Sequence, residues 1–266
     1  MNPGSRAIFA TLIAGISAST MRPAAQVQST QAVRNPVVVE LFTSEGCSSC
    51  PPADQLLAKL EEQQPIENVE IIPLEEHVTY WNQGGWLDPY SSDVFTARQS
   101  VYAGMLSKGN SYTPQMIVDG ETELIGSRAA QAVNSIERAG IQKKVEVTVT
   151  PGEAIKGAQT FQVKVGALPN ASGGDAPEVW LAVTETGLHN QVKGGENSGQ
   201  DLHHAAVVRD LRRIGTAKGP GEASFSADER VKIDKSWKRE NTHVVVFLQD
   251  KKSKKVLGAG MAVLPS

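Results

Sequence analysis

The sequence predicts an α/β domain followed by an antiparallel all-β, sandwich-like domain. Three observations lead there. Cys47 and Cys50, the only cysteines of the chain, form a C-x-x-C where an apolar run rich in β-branched residues gives way to helical periodicity. The elements expected over residues 36–139 follow the order β-α-β-α-β-β-α, and a C-x-x-C at the first strand-to-helix junction of that order is the layout of a thioredoxin-like domain. Past Gly140 the pattern changes to short alternating strands separated by turn residues, which suits an antiparallel sandwich or barrel. The boundary is placed near residues 140–145, between a thioredoxin-like domain over 36–140 and a β-rich C-terminal domain over 145–264.

Each element has a local reason. Residues 36–42 (PVVVELF) form an apolar run suited to a buried strand. Pro52 to Glu62 predicts a helix: Leu56, Leu57 and Leu60 share one face, and a proline near the start lacks only an N–H that has no intrahelical partner there. Val69 to Leu74 predicts a second strand, with Pro73 marking its end or an edge. His77 to Tyr90 is rich in aromatic residues and glycine and reads as an ordered loop. Asp93 to Leu106 is helical in pattern, with Val94, Val101 and Met105 at helical offsets. Tyr112 to Gly120 is a strand entered through Pro114, Glu123 to Ile125 its hairpin partner, and Ser127 to Ala139 a helix with Ser127 as its cap. Beyond the boundary, Val145–Thr150, Phe161–Val165, Val179–Val183, His243–Leu248 and Val256–Leu264 read as strands. Asp201 to Gly215 suits either helix or strand. Lys251 to Lys255 reads as a solvated hairpin tip.

The first 25 residues read as a secretory signal peptide. Arg6 supplies the positive region, and Ala7 to Ala18 is apolar but too short to span a bilayer. Cleavage near Ala25 would remove Arg6 and Arg22, lowering the 26 basic residues to 24 against 29 acidic ones, a net charge of −5. That balance argues against nucleic acid as a partner. The remaining chain has no apolar run of spanning length, so no stable membrane insertion is expected after cleavage. The expected location is periplasmic or secreted, where disulfides persist.

The thiol pair carries the expected chemistry. A thiol at a helix N-terminus meets free N–H groups and the positive end of the helix dipole, which favour the nucleophilic thiolate. Cys47, nearer the loop and expected to be the more exposed, would attack a protein or peptide disulfide, and Cys50 would resolve the mixed disulfide. Ser48 and Ser49 would lower the pKa of Cys47 by hydrogen bonding, and Glu45 would raise it. Thioredoxin-like proteins place a cis-proline at the start of the strand facing the C-x-x-C, and Thr113-Pro114 has that context, so a cis bond and a backbone surface for an extended substrate are expected there, the alternative being an ordinary trans bond at a strand entry. Two other readings stay open, a structural disulfide and a metal pair, copper foremost because soft thiolates suit it. No second cysteine pair completes a four-ligand zinc site, and no cofactor or metal-ligand set is assigned.

The runs LFTSEGCSSCPPAD, HVTYWNQGGWLDPYS, YTPQMIVDG and GENSGQDLHH together resemble a secreted, thioredoxin-like bacterial family catalogued as domain of unknown function 1223. The resemblance covers about residues 36 to 264. It implies a thioredoxin-like N-terminal half with Cys47 and Cys50 as the redox pair, and it implies no substrate. Ordinary thioredoxins carry Trp-Cys-Gly-Pro-Cys. Here Gly46 precedes the first cysteine and two serines fill the spacer.

Cys47, Cys50 and Pro114 are therefore the expected catalytic residues, with Thr113, Trp81 and Trp86 as the expected substrate-binding wall. Trp81 and Trp86 also suit plain packing. His77 suits packing, proton transfer or a distal copper ligand. His203 and His204, adjacent on a strand, would face opposite sides. Glu196 and Asn197 read as turn residues. The functional expectation is an extracytoplasmic thiol–disulfide oxidoreductase, which in a reductive role needs a membrane electron donor. The alternative is a non-catalytic thioredoxin-like binding module for copper or a protein partner.

Overall fold

A single strand organises the molecule. β1 (Asn35–Thr43) is apolar on both faces because both are covered. Val37, Val39 and Leu41 pack with Leu57 and Leu60 of α1 (Pro51–Gln63) and with Ala132 and Ile136 of α3 (Ala129–Gly140). Val38 packs on the opposite face in a cluster with Phe95 of α2 (Asp93–Leu106). β1 pairs in parallel with β2 (Val69–His77) and antiparallel with β3 (Gln115–Val118), which continues through a tight turn into β4 (Thr122–Ile125). This computed structural model describes residues 1, 4, 34–168, 175–218 and 223–265. The predicted signal segment, residues 1–25, lies outside them apart from residues 1 and 4.

The predicted element order over 36–139 is found, but the expected thioredoxin-like α/β domain followed by a separate all-β sandwich is not. Four later strands, β7 (Glu178–Glu185), β10 (Val207–Thr216), β12 (Thr242–Gln249) and β13 (Val256–Val263), join the first four in one mixed eight-stranded sheet of order β13-β12-β7-β10-β2-β1-β3-β4. The deciding strand is β10. Its Val207 pairs in parallel with Glu75 of β2, while the rest of it pairs antiparallel with β7. Hydrophobic periodicity reports which residues are buried, not which strand edge meets which. An open edge on β2 would be a site for unwanted pairing, and β10 covers it. Residues Val33–Ser266 form one compact unit.

Sheet-on-sheet packing does occur, over part of that unit. β5 (Val147–Ile155), β6 (Ala158–Gly166) and β11 (Ala223–Lys232) form a three-stranded antiparallel sheet. Phe161, Val163 and Val165 of β6 pack against Val179, Leu181 and Val183 of β7 and Val244, Val246 and Leu248 of β12. A two-stranded ribbon, β8 (Leu188–Gln191) with β9 (Asp201–His204), projects beside the large sheet.

Four local expectations change. β2 runs through Pro73 to His77. Ile71 N–H donates to Gln64 Oε1 and Glu75 N–H to the Ala206 carbonyl, so the odd-numbered N–H groups of β2 face away from β1. β10 reaches β2 only at Glu75, so the donor that proline lacks has no strand to meet. Asp201 to Gly215 holds two strands joined by a bend at Ala205–Ala206: Asp201–His204 pairs with Leu188–Gln191, and Val207 onward pairs with β7 and, at Glu75, with β2. In α2, Val94, Val101 and Met105 are exposed, and Phe95, Gln99, Tyr102 and Ala103 form the buried face. Arg128, not Ser127, occupies the N-cap of α3, with no side-chain cap bond. Lys251–Lys255 is the turn between β12 and β13, as expected.

Candidate functional site

Cys47 and Cys50 are joined in a disulfide. β1 ends at Thr43, the chain turns through Ser44 to Ser49, and Cys50 is the N-cap of α1. Pro51 and Pro52 follow, so the first two helical positions have no N–H to offer. The next two N–H groups, of Ala53 and Asp54, both donate to the Cys50 carbonyl. The free donors expected to favour a thiolate are thus absent, leaving the Ser49 hydroxyl, 3.4 Å from Cys47 Sγ, and the helix dipole. Pro114 lies close by: a Cβ added to Gly126 would stand 3.1 Å from Ala53 Cβ and 3.2 Å from Pro114 Cβ. The Thr113–Pro114 bond is cis, as predicted.

Cys47 is not the exposed member of the pair: both cysteines are 0% exposed, and only Ser48 and Ser49 reach solvent. The cover comes from the far end of the chain. Asn197 Nδ2 donates to the carbonyls of Glu45 and Cys47 at 2.9 and 3.0 Å. The Glu196 carboxylate accepts from Ser48 N–H and the Ser48 hydroxyl at 3.1 and 2.6 Å, which holds its pKa below the usual carboxylate value. On the other side, Trp81 Cβ lies against Gly46, and Trp81 Nε1–H donates to Thr113 Oγ1 at 2.7 Å.

Under this cover lies a buried polar cluster drawn from four segments. Glu45, two residues before Cys47, accepts from Trp86 Nε1–H at 2.7 Å and from Asn190 Nδ2 at 2.8 Å. His204 sits between two carboxylates, with Nε2 3.1 Å from Glu45 Oε1 and Nδ1 3.0 Å from Glu75 Oε1. His77 Nδ1 is 2.7 Å from Asp88 Oδ2, which also accepts from Glu45 N–H. His77 Nε2 has no hydrogen-bond partner among the described residues. Burial favours the uncharged forms of Glu75, His77, Asp88 and His204, but the neighbouring charges overcome it. Glu75 lifts His204 to about 10, and the two histidines bring Glu75 down to about 2. His77 is likewise raised by Asp88, which is itself held at about 2. Asp54, in the first turn of α1, is different: burial and then the charge of Glu75 push it up to about 7, although Thr43 Oγ1–H donates to it at 2.6 Å.

Cys47, Cys50, Pro114, Thr113 and Trp81 are thus brought together. Trp86 donates to Glu45, lies against Gly195 and belongs to the polar cluster. Sequence reasoning passed over Glu45's structural part, Glu75, Asp88 and Asn190, and took Asn197 for a turn residue. The run Gly195-Glu196-Asn197-Ser198-Gly199 was the available signal. It is a turn, as expected, but Glu196 and Asn197 bond to the Glu45–Ser48 segment that carries Cys47. On β9, His204 is buried and His203 exposed, as strand alternation requires.

No helix among the described residues is long and apolar enough to cross a membrane. Among curated proteins, none matches the chain. Among solved structures, the chain is similar to protein AGR_C_4864 from Agrobacterium tumefaciens, with a TM-score of 0.64 and 26% identity over 88% of this chain and 96% of that one. It is also similar to HBP35 of Porphyromonas gingivalis, with a TM-score of 0.63 and 18% identity over 87% of this chain and 76% of that one, a likeness of fold alone. The model of the family described as protein of unknown function (DUF1223) matches residues 38–249, most of the chain and all of the site just described. This chain belongs to the DUF1223 family.

Proposed function

We propose that the protein is an extracytoplasmic thiol–disulfide oxidoreductase, located in a periplasm or outside the cell, that acts on protein or peptide thiols and disulfides through Cys47 and Cys50. The observation that carries the reading is the disulfide itself. It closes a loop of only a few residues at the head of α1, where chain entropy makes it worth only about 2 kcal/mol, a poor structural staple. Pro114 and Thr113 line the strand entry beside it, and the exposed Ser48 and Ser49 mark the direction of access.

In the oxidising direction a substrate thiolate attacks one sulfur of the pair. A substrate–protein disulfide forms as the Cys47–Cys50 bond breaks and the other cysteine leaves as a thiolate. A second substrate thiolate then displaces the protein, so the substrate is oxidised and the pair gains two electrons. In the reverse direction the Cys47 thiolate opens a substrate disulfide, Cys50 resolves it, and a membrane electron donor restores the dithiol. Because both cysteines are covered, either direction requires Glu196 and Asn197 to release the Cys47–Ser48 segment.

The test is the equilibrium reduction potential of the pair in glutathione buffers, with thiols counted by mass. A value between about −120 and −270 mV places it among exchange catalysts, and one well below about −300 mV overturns the reading. Complete burial of both sulfurs favours a second reading, a binding module that holds copper or a protein partner without turnover. Under it, Cys47→Ser leaves partner binding unchanged, whereas stoichiometric copper(I) uptake by the reduced protein depends on both thiols.

A further inference from the structure

We propose that Glu75, His77 and His204 form a binding site for a divalent cation of the zinc class, independent of the redox reading. The three residues come from the end of β2 and the end of β9. Glu75 and His77 are two apart on one strand and so share a face, and the β8–β9 ribbon brings His204 over it. Their donor atoms lie within 4.8 Å of one another, and all three side chains are buried.

The geometry fits the donor set. Glu75 Oε1 is 3.6 Å from His77 Nε2 and 3.0 Å from His204 Nδ1. Tetrahedral zinc with bonds of about 2.0–2.2 Å needs donors about 3.3 Å apart. Two imidazoles and one carboxylate leave a fourth position open, as in catalytic zinc sites. The surroundings fit as well. A ligating histidine ordinarily donates its other ring N–H to a carboxylate, which orients the ring. Here Asp88 Oδ2 stands at His77 Nδ1 and Glu45 Oε1 at His204 Nε2, at 2.7 and 3.1 Å. Both remaining nitrogens, His77 Nε2 and His204 Nδ1, then face Glu75. Ala205 N–H donates to Glu75 Oε2 at 3.0 Å, leaving Oε1 for the cation. His77 Nε2, a fully buried polar atom, has no hydrogen-bond partner among the described residues and faces Glu75 Oε1 at 3.6 Å, a position a cation would fill. Glu45, Glu75 and Asp88 place three carboxylates around this point, so a dication there is electrostatically favoured.

The ligands are covered, so the cation enters during folding or when the β8–β9 ribbon opens. The experiment is to refold the full chain, disulfide intact, with zinc at pH 8, remove free metal, and count bound zinc by native mass spectrometry. With the thiols oxidised they supply no ligand, so failure of the redox reading leaves this result untouched. One retained zinc per chain is expected. His204→Gln and Glu75→Gln should weaken binding by more than about 100-fold, and Asp88→Asn by about 10–100-fold. The double variant His189→Gln/His203→Gln, which removes the exposed pair beside Asp201, should bind as the wild type does. Should the buried variants fail to fold, the wild-type protein loaded with cobalt(II) decides: paramagnetically shifted ring signals must come from His77 and His204. No retained zinc, zinc retained by His204→Gln, or shifted signals from His189 and His203 would each overturn the proposal.

Discussion

Asn197 Nδ2 donates to two backbone carbonyls, of Glu45 and of Cys47, that lie 152 and 150 residues away in sequence. All three groups are buried. One amide thus fixes the approach of the chain to the disulfide from a segment that shares no local contact with it.

Asn197→Ala leaves the buried Glu45 carbonyl without a donor and the Cys47 carbonyl with only the Cys50 N–H at 3.1 Å. The expected cost is about 1–3 kcal/mol, because an unmet buried polar group loses its solvation with nothing in return. The same change should speed reduction of the disulfide by dithiothreitol, since Cys47 is released toward solvent. Urea unfolding and thiol-release kinetics check both. An unchanged release rate would show that the segment does not gate access.

Arg98 is the cation of a second buried cluster. It pairs with Glu40, lies 3.7 Å from Glu76, donates to Tyr102 Oη at 3.1 Å, and stands 5.3 Å from the ring centres of Tyr102, Trp180 and Phe247. Burial, then the charge of Glu40, holds Glu76 well above the usual carboxylate value. Arg98→Met should destabilise the fold by about 3–5 kcal/mol by leaving buried carboxylates without a counter-charge. Arg98→Lys keeps the charge but not the planar contacts, and should lose less. Chemical denaturation of the two variants checks the order.

Gly126 marks how tightly Pro114 is held to the head of α1. A Cβ there would meet Leu41 Cδ1 at 2.6 Å as well as Ala53 and Pro114. Gly126→Ala should therefore cost about 1–3 kcal/mol through overpacking. It should also change the rate of disulfide reduction, because the displaced atoms belong to Leu41 of β1, Ala53 of α1 and Pro114. A melting curve and the same thiol assay read it out.

His243, on β12, is lowered below 6.5 by burial, and its Nδ1 has no partner among the described residues. The folded state then binds this proton less readily than the unfolded chain does. Its stabilising contribution is complete above pH 6.5 and is lost as pH falls from 6.5 through the lowered folded value. His243→Gln should remove that part of the slope of stability against pH, measured as wild type minus variant between pH 7 and pH 5. An identical slope in both would place the acid sensitivity elsewhere.

Local patterns were legible where local physics decides them. The helix over Asp93–Leu106 has the predicted ends because Ser92 caps it through Val94 N–H. The β3–β4 hairpin follows from Asp119-Gly120, both at positive φ. The helical offsets of Val94, Val101 and Met105 left the inward face of α2 unassigned, and the structure leaves these three exposed. Periodicity identifies a face and is silent on what stands opposite it.

By itself, the sequence determined the disulfide-forming pair, the strand entry at Pro114, the order of elements through α3 and, once the segment is a strand, that His203 and His204 face opposite sides. These depend on spacing, backbone stereochemistry and side-chain period, which act within a few residues. Only the tertiary structure decided that β10 joins both halves in one sheet, that Asn197 and Glu196 cover Cys47, and that Glu45, Glu75, His77, Asp88 and His204 meet beneath it. Each of those contacts spans tens to more than a hundred residues, and a buried charge chooses its partner by where the strands bring it, which no local pattern records.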